Sequence, residues 1–346
     1  MITQKKSIKE WLLNRLNITH KPVVRVYNGY GDEDLLLIMG HVLKQSPLPK
    51  TKFKKNFWSN SLSLIRLFIV EPCKQVTVQM EWGNQQLETR TDSDGFYKFE
   101  WKAGEKPQPG WHSVKVEVVS GKFSGTSGKG KLLVPQPTQY AFISDIDDTF
   151  LISYSSNLRK RMYVLLTKNA RTRKPFEGVV RHYQLLADGD KYREQNPFFY
   201  VSSSEWNLYY YIKEFKENYG IPEGVYLLNQ MKTGLEFLKT GQNKHNGKYM
   251  RIARVLKEFP HRKFILLGDD TQRDPEIYTH IVESFPGRII CVYLRHVGKK
   301  KKPEVITKIA TIKQAGVEVL YFKKSEEAIE HSKKIGLIAA DPVSQN

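Results

Sequence analysis

At 346 residues, with 40% apolar and 12% aromatic residues, the chain can bury sizeable cores, and its composition argues against global disorder. Its net charge of +19, divided about evenly before and after residue 140, favours a broad anionic partner such as nucleic acid, an acidic membrane or an envelope polymer. Two distant cysteines, Cys73 and Cys291, exclude a disulfide framework, and no apolar window approaches the roughly 18 residues of a membrane span. With no signal-type apolar core at the N-terminus, the expected location is the cytoplasm, with peripheral membrane contact.

Residues 5–17 have the spacing of a short amphipathic helix, and two extended runs follow, PVVRVYNGYG and DLLLIMGHVLKQ. The segment FWSNSLSLIRLFIV (57–70) spaces its apolar residues as a helix would. Short alternating runs come next, QVTVQMEW, QLETRT, GFYKFEW and HSVKVEVVS, separated by turn residues such as Ser93-Asp94-Gly95 and Pro109-Gly110. This pattern predicts a small antiparallel β-sandwich with short helices over residues 1–135. Its tryptophans, Trp58, Trp82, Trp101 and Trp111, are read as core. A stretch rich in Gly, Ser and Pro, GTSGKGKLLVPQPTQY, then places a boundary near residue 136.

From residue 141 the strand-like runs AFISDI, FFYVSS, VYLLNQ, KFILLGD, RIICVYLR and VEVLYF alternate with helical stretches. That alternation predicts an α/β unit over 136–346, a parallel sheet with helices on both faces. Ligands of such sheets bind beyond the carboxyl ends of the strands. The first strand ends in Asp145-Ile146-Asp147-Asp148-Thr149, the second in Ser202-Ser203-Ser204, and the fourth in Asp269-Asp270 with Asp274 close behind. Lys248 lies just before that fourth strand. Carboxylates at two strand ends suit a hard cation such as Mg²⁺, and a carboxylate can also attack phosphorus. A second carboxylate two residues on can move a proton, while a hydroxyl and a lysine stabilise a phosphoryl group.

Structural alternatives exist for the separate pieces. Ser202 to Glu205 fits a helix capping box, Asp274-Pro275 fits a helix start, and a single lysine is ordinarily solvated surface. For the acidic cluster at 145–148 a purely structural role is the disfavoured alternative, because uncompensated carboxylates at a strand end are costly.

DIDDT matches the DxDxT signature of haloacid-dehalogenase-like phosphatases, and SSS, Lys248 and GDDTQRD fall where that superfamily keeps its later motifs. Through ISDIDDTFL, NARTRKPFEGV, FFYVSSSEWNLY and FILLGDDTQRDPEIY, the chain more specifically resembles the actin-patch-protein family of phosphatidate phosphatases, including bacterial members. The resemblance implies a three-layer parallel sheet with a small cap insertion at about 151–178. It implies that Asp145 is the nucleophile and Asp147 the general acid and then base. Mg²⁺ would be held by Asp145, Asp147 (through its carbonyl) and Asp269, with Asp274 organising the outer shell. Thr149, Ser202 and Lys248 would support and bind the phosphoryl group. Two departures stand out: Asp270 follows Asp269 where relatives often have serine, so an extra acid could serve the metal, and Glu205 stands where many have proline.

Within the cap segment, Arg159, Lys160 and Arg161 begin a basic stretch, and Leu158, Met162, Leu165 and Leu166 form an apolar stripe beside it. Such a helix can lie in an anionic membrane interface, or its stripe can pack on the core. The run Lys299–Lys302 is read as a solvated loop. The expected function is a Mg²⁺-dependent phosphatase converting phosphatidate to diacylglycerol through an aspartyl-phosphate. The alternatives are a phosphatase of another phosphomonoester and a non-catalytic membrane or envelope module. No nucleic-acid-binding motif is present, so no specific nucleic-acid partner is expected.

Overall fold

Alternating apolar residues make strands through the first third of the chain, and the computed structural model arranges them around one long strand. It describes residues 18–19, 21–47, 66–138, 140–147, 149, 174–189, 195–229, 244–298, 300 and 302–339. The strands are β1 (Ile18–Thr19), β2 (Val23–Val26), β3 (Gly29–Gly31), β4 (Leu36–Pro47), β5 (Glu71–Pro72), β6 (Thr77–Trp82), β7 (Gln85–Arg90), β8 (Phe96–Trp101), β9 (Gly110–Val118) and β10 (Ser127–Val134). They form one ten-stranded sheet in the order β1-β4-β3-β10-β9-β6-β7, with β2, β5 and β8 also paired to β4. Val26, Ile38, Val78, Phe99, Val116 and Leu132 belong to its buried apolar cluster.

The expected antiparallel pairing fails at one place, where β10 runs parallel to β3. Tight turns fix the direction of sequence neighbours such as β6 and β7, but β3 and β10 lie far apart in sequence, and no turn sets their direction. Of the helix expected over 57–70, only the end falls among the described residues, and Arg66–Phe68 there is a single 3-10 turn. The helix expected over 5–17 lies outside them, as does Trp58. Trp101 is buried, Trp82 and Trp111 partly so, and both cysteines are buried and unbridged.

The six apolar runs of the second half become β11 (Tyr140–Ser144), β12 (Phe198–Glu205), β13 (Gly224–Asn229), β14 (Lys263–Asp269), β15 (Ile289–Arg295) and β16 (Glu318–Phe322). All pair in parallel, in the order β13-β12-β11-β14-β15-β16. Continuous burial explains why these strands read as unbroken apolar runs, since a parallel sheet is covered on both faces. The described helices are α1 (Val179–Asp188), α2 (Tyr209–Tyr219), α3 (Lys244–Glu258), α4 (Asp274–Ser284), α5 (Pro303–Gln314) and α6 (Ser325–Lys334). α4 packs against both α3 and α5, while α1 packs against α6. No described helix is long and apolar enough to cross a membrane.

The two sheets share a core. Tyr27 stacks on Trp206 at 4.0 Å between ring centroids, and Tyr30 meets Phe199 edge-on. The Asn28 backbone N–H donates to the Tyr209 hydroxyl at 3.0 Å, and its side-chain amide donates to the Gly224 carbonyl at 3.0 Å. Where the chain passes from one sheet to the other, the Arg262 guanidinium donates to the carbonyls of Gln136 and Thr138 at 2.8 and 3.0 Å. A half-buried cation bound to several carbonyls fixes the course of a segment too polar to pack by itself.

Two buried histidines make this fold acid-sensitive. His41 lies 2.9 Å from the Tyr27 hydroxyl, and His182 lies 2.9 Å from the Ser332 hydroxyl. Burial lowers each from 6.5 to about 3, with neighbouring positive charge adding to the effect. Between those two values the unfolded chain takes up protons that the folded chain refuses, so stability falls as pH falls through that window. We expect the urea midpoint to drop as pH is lowered from 6.5 toward 3, with a slope approaching about 1.4 kcal/mol per pH unit for each histidine. His41→Gln should flatten that slope; an unchanged slope would contradict the assignment.

Candidate active site

The second sheet reverses its winding at β11: the chain leaves it for β12 on one side and later returns to β14 on the other. Such a switch point opens a crevice at the carboxyl ends of the strands, which are the ends of β11, β12 and β14 here. Asp145 follows β11 directly and is 1% exposed. Its backbone N–H donates to the Leu267 carbonyl at 2.8 Å, and the Ser144 hydroxyl donates to its carbonyl at 2.6 Å. The Thr149 hydroxyl lies 3.3 Å from both Asp145 Oδ2 and Asp269 Oδ2, so it can donate to either carboxylate. Arg295 Nε donates to the Thr149 carbonyl at 3.1 Å and holds the end of this loop.

On the neighbouring strand, the β12–β13 register shifts between Val201 and Glu205. A local irregularity of this kind re-aims side chains. Ser202 and Ser204 both donate to Asp147 Oδ2, at 3.3 and 3.1 Å. The capping-box reading fails here: β12 continues through Glu205, a 3-10 turn covers Trp206–Leu208, and α2 begins only at Tyr209 without a side-chain cap.

Lys248 enters from α3. Its Nζ lies 2.7 Å from Asp145 Oδ1 and also bonds Asp274 Oδ1, with all three side chains at most 2% exposed. Asp274 opens α4, yet its second oxygen accepts from the Asp269 backbone N–H at 3.3 Å, so it is more than a helix start. Gly268 makes that approach possible, because a Cβ there would lie 2.5 Å from Asp274 Oδ2. Asp269 Oδ1 accepts from both the backbone N–H and the hydroxyl of Thr271.

Burial pushes Asp145 well above the usual carboxylate range; Lys248 opposes this, while Asp274, Asp269 and Asp147 add to it. Burial, with Asp274 beside it, pushes Asp269 up to about 8 against the hydrogen bonds from Thr271. Burial disfavours the charge on Lys248, but Asp145 and Asp274 outweigh it and raise the lysine above its ordinary value. Asp145, Asp269 and Asp274 each offer an oxygen within 4.8 Å of the others, and together they could hold a metal ion. A divalent cation suits an all-oxygen donor set in which buried acids raise one another.

The structure thus brings together Asp145, Asp147, Thr149, Ser202, Lys248, Asp269 and Asp274 from elements far apart in the chain. Arg159, Lys160, Arg161, Leu165 and Leu166 lie outside the described residues, as does most of the cap segment. Asp270 does not join the cluster as an extra acid. Its carboxylate turns to His296 Nδ1, the Tyr321 hydroxyl and the Val297 backbone N–H, and Lys302 donates to its carbonyl. Within the described part of the run 299–302, Lys300 and Lys302 are both exposed loop as expected, and Lys302 also reaches the Asp270 carbonyl. Sequence reasoning missed Ser204, Arg251 of α3, whose Nη2 donates to the Ser202 carbonyl at 3.1 Å, and Arg295. Alternation from Ser202 would have flagged the first, and helical i, i+3 spacing from Lys248 the second. Nothing local marks Arg295.

Residues 140–296 match the family described as "Phosphatidate phosphatase APP1, catalytic domain". Over 163 residues the chain is 33% identical to phosphatidate phosphatase APP1 of Saccharomyces cerevisiae, covering 46% of this chain and 26% of the yeast protein. The chain thus spans about a quarter of the length of that curated relative. Among solved structures, a carbohydrate acetylesterase from Xanthomonas citri overlaps with a TM-score of 0.34 at 9% identity, covering 91% of this chain and 75% of that one. A β-glucuronidase from Parabacteroides merdae overlaps with a TM-score of 0.27 at 8% identity, covering 88% and 39%. Overlaps this small assign neither fold nor activity.

Lys248→Met would leave Asp145 and Asp274 facing each other without a cation. We expect it to cost about 3–5 kcal/mol in urea denaturation at neutral pH. An unchanged midpoint would mean that the lysine does not hold the two carboxylates.

Proposed function

We propose that the chain is a Mg²⁺-dependent phosphatase acting on phosphatidate, a reading that starts from the match of residues 140–296 to the family described as the phosphatidate phosphatase APP1 catalytic domain. The observation that carries this reading is the meeting of Asp145 and Asp147 with Ser202, Lys248 and Asp269 at one switch point. The catalytic unit is read as haloacid-dehalogenase-like over 136–346, with a cap at about 151–178. The first sheet is read as a β-sandwich domain over 1–135. The grip of Arg262 on Gln136 and Thr138 supports a junction there.

In the proposed mechanism an Asp145 carboxylate oxygen attacks phosphorus, and the bond to the glycerol oxygen breaks. Asp147, two residues on, gives its proton to that leaving oxygen and so releases diacylglycerol. It then takes a proton from water, whose oxygen attacks the phosphorus of the aspartyl-phosphate and frees inorganic phosphate and Asp145. Ser202 and Ser204 hold Asp147 between these steps, and Thr149 braces Asp145 against Asp269. Lys248, 2.7 Å from Asp145, favours its ionised form against the burial that raises it. Asp145 and Asp269, with the Asp147 carbonyl, would hold Mg²⁺, and Asp274 would fix Lys248 beside them. The ion, when bound, offsets the repulsion between the carboxylates and the phosphate.

The substrate assignment rests on the family and on the chain's positive charge, which suits an anionic membrane surface. The basic, apolar-striped segment containing Arg159, Lys160, Arg161, Leu165 and Leu166 is proposed to contact that membrane. Replacing Leu165 and Leu166 with polar residues should weaken turnover at vesicles and spare a soluble monoester; equal effects on both would refute the contact.

The test of the function is phosphate release from phosphatidate in mixed micelles. Turnover should require Mg²⁺ and fall by on the order of a thousandfold or more in Asp145→Asn. Turnover of only soluble or nucleic-acid-end monoesters would keep the chemistry and overturn the substrate. Silence from folded, Mg²⁺-loaded protein on every monoester would favour a non-catalytic binding module.

A further inference from the structure

Four acidic side chains at the site, Asp145, Asp147, Asp269 and Asp274, face one lysine whose charge is already committed. Lys248 Nζ is bonded to both Asp145 and Asp274. A phosphomonoester brings further negative charge, and a lysine held between two carboxylates has little left to offer it. One helical turn along α3 stands a second cation, Arg251, on the same side of the helix. Its Nη2 donates to the Ser202 carbonyl at 3.1 Å, which fixes the guanidinium beside the serine at the end of β12. Its Nε is buried with no hydrogen-bond partner among the described residues, and none of their carboxylates forms an ion pair with it. Burial alone lowers it to about 10, with no neighbouring carboxylate offsetting that effect. Gly247, inside the first turns of α3, lets Nη1 lie close to the helix, since a Cβ there would sit 3.1 Å from it.

A half-buried guanidinium without a counter-charge is costly, and a buried Nε donor left unmade adds to the cost. The structural arginines Arg262 and Arg295 also lack a carboxylate, but each spends its guanidinium on several carbonyl or hydroxyl oxygens, whereas among the described residues Arg251 has the Ser202 carbonyl and an Nε with no acceptor. The arrangement makes sense if the missing partner is an anion that arrives. We propose that Arg251 is a phosphate-binding residue whose guanidinium takes a non-bridging oxygen of the substrate phosphoryl group, supplying the free positive charge that Lys248 lacks. The proposal rests on the phosphatase reading above and adds to it a residue that the motifs do not include. Arginine's planar fork can serve the Ser202 carbonyl and a phosphoryl oxygen at once from separate nitrogens held in one plane, a fixed geometry that a lysine's single ammonium does not provide.

The test uses the full chain loaded with Mg²⁺ and inorganic phosphate as probe, reading affinity by calorimetry and the phosphate-induced rise in melting temperature. Arg251→Gln should weaken phosphate binding about tenfold or more and remove most of that rise. Arg251→Lys should bind more weakly than the wild type but better than the glutamine variant, and it carries the test if the glutamine variant does not fold. The KM for a soluble phosphomonoester should rise in parallel. A variant that melts earlier without ligand yet binds phosphate as the wild type does would show a structural role only, overturning the proposal and leaving the phosphatase reading intact. A wild type that neither binds phosphate nor hydrolyses any monoester would overturn both.

Discussion

The contact of Lys248 with Asp145 and Asp274 joins three elements of the second sheet's carboxyl edge: the end of β11, α3 and the start of α4. Without that cation two buried carboxylates would face each other, and one would have to take a proton or reach water. With it, Asp145 stays beside Asp269, and Asp274 stays close enough to accept from the Asp269 backbone. Gly268 gives Asp274 the room to do so. The geometry of the acidic cluster therefore depends on side chains that would not themselves react.

Asp269 and Asp270 show how one backbone step separates two roles. Asp269 ends β14 and turns into the crevice, where Thr271 and Thr149 meet its two oxygens. Asp270 points the other way and binds His296, Val297 and Tyr321. It thereby ties the segment after β15 to β16. An acid that looked like an additional metal ligand serves instead to fix the loops beside the site.

Much of this was legible in the residues. Unbroken apolar runs such as FILL and IICVYL could only be covered on both faces, and the acids after AFIS and FILLG were too costly to be incidental. Less legible was anything that depends on partners remote in sequence. The parallel pairing of β10 with β3 is not encoded by any turn, and the shared core of Tyr27 and Trp206 joins residues that no periodicity connects. Ser202 to Glu205 carries a sound local capping signal, yet the strand continues through it, and the shifted register turns the serines onto Asp147. Arg251 looked like one of many basic residues, and only its buried, unpartnered Nε beside Ser202 sets it apart.

The central claim is that Asp145 carries the phosphoryl group during turnover. Its most direct test is a rapid acid quench of the Mg²⁺-loaded protein during turnover of phosphatidate labelled in its phosphate, followed by peptide mapping. The account predicts label on the peptide containing Asp145, and none on that peptide when Asp145→Asn is treated alike. Turnover in the wild type with no protein-bound label, or with label on another residue, would contradict it.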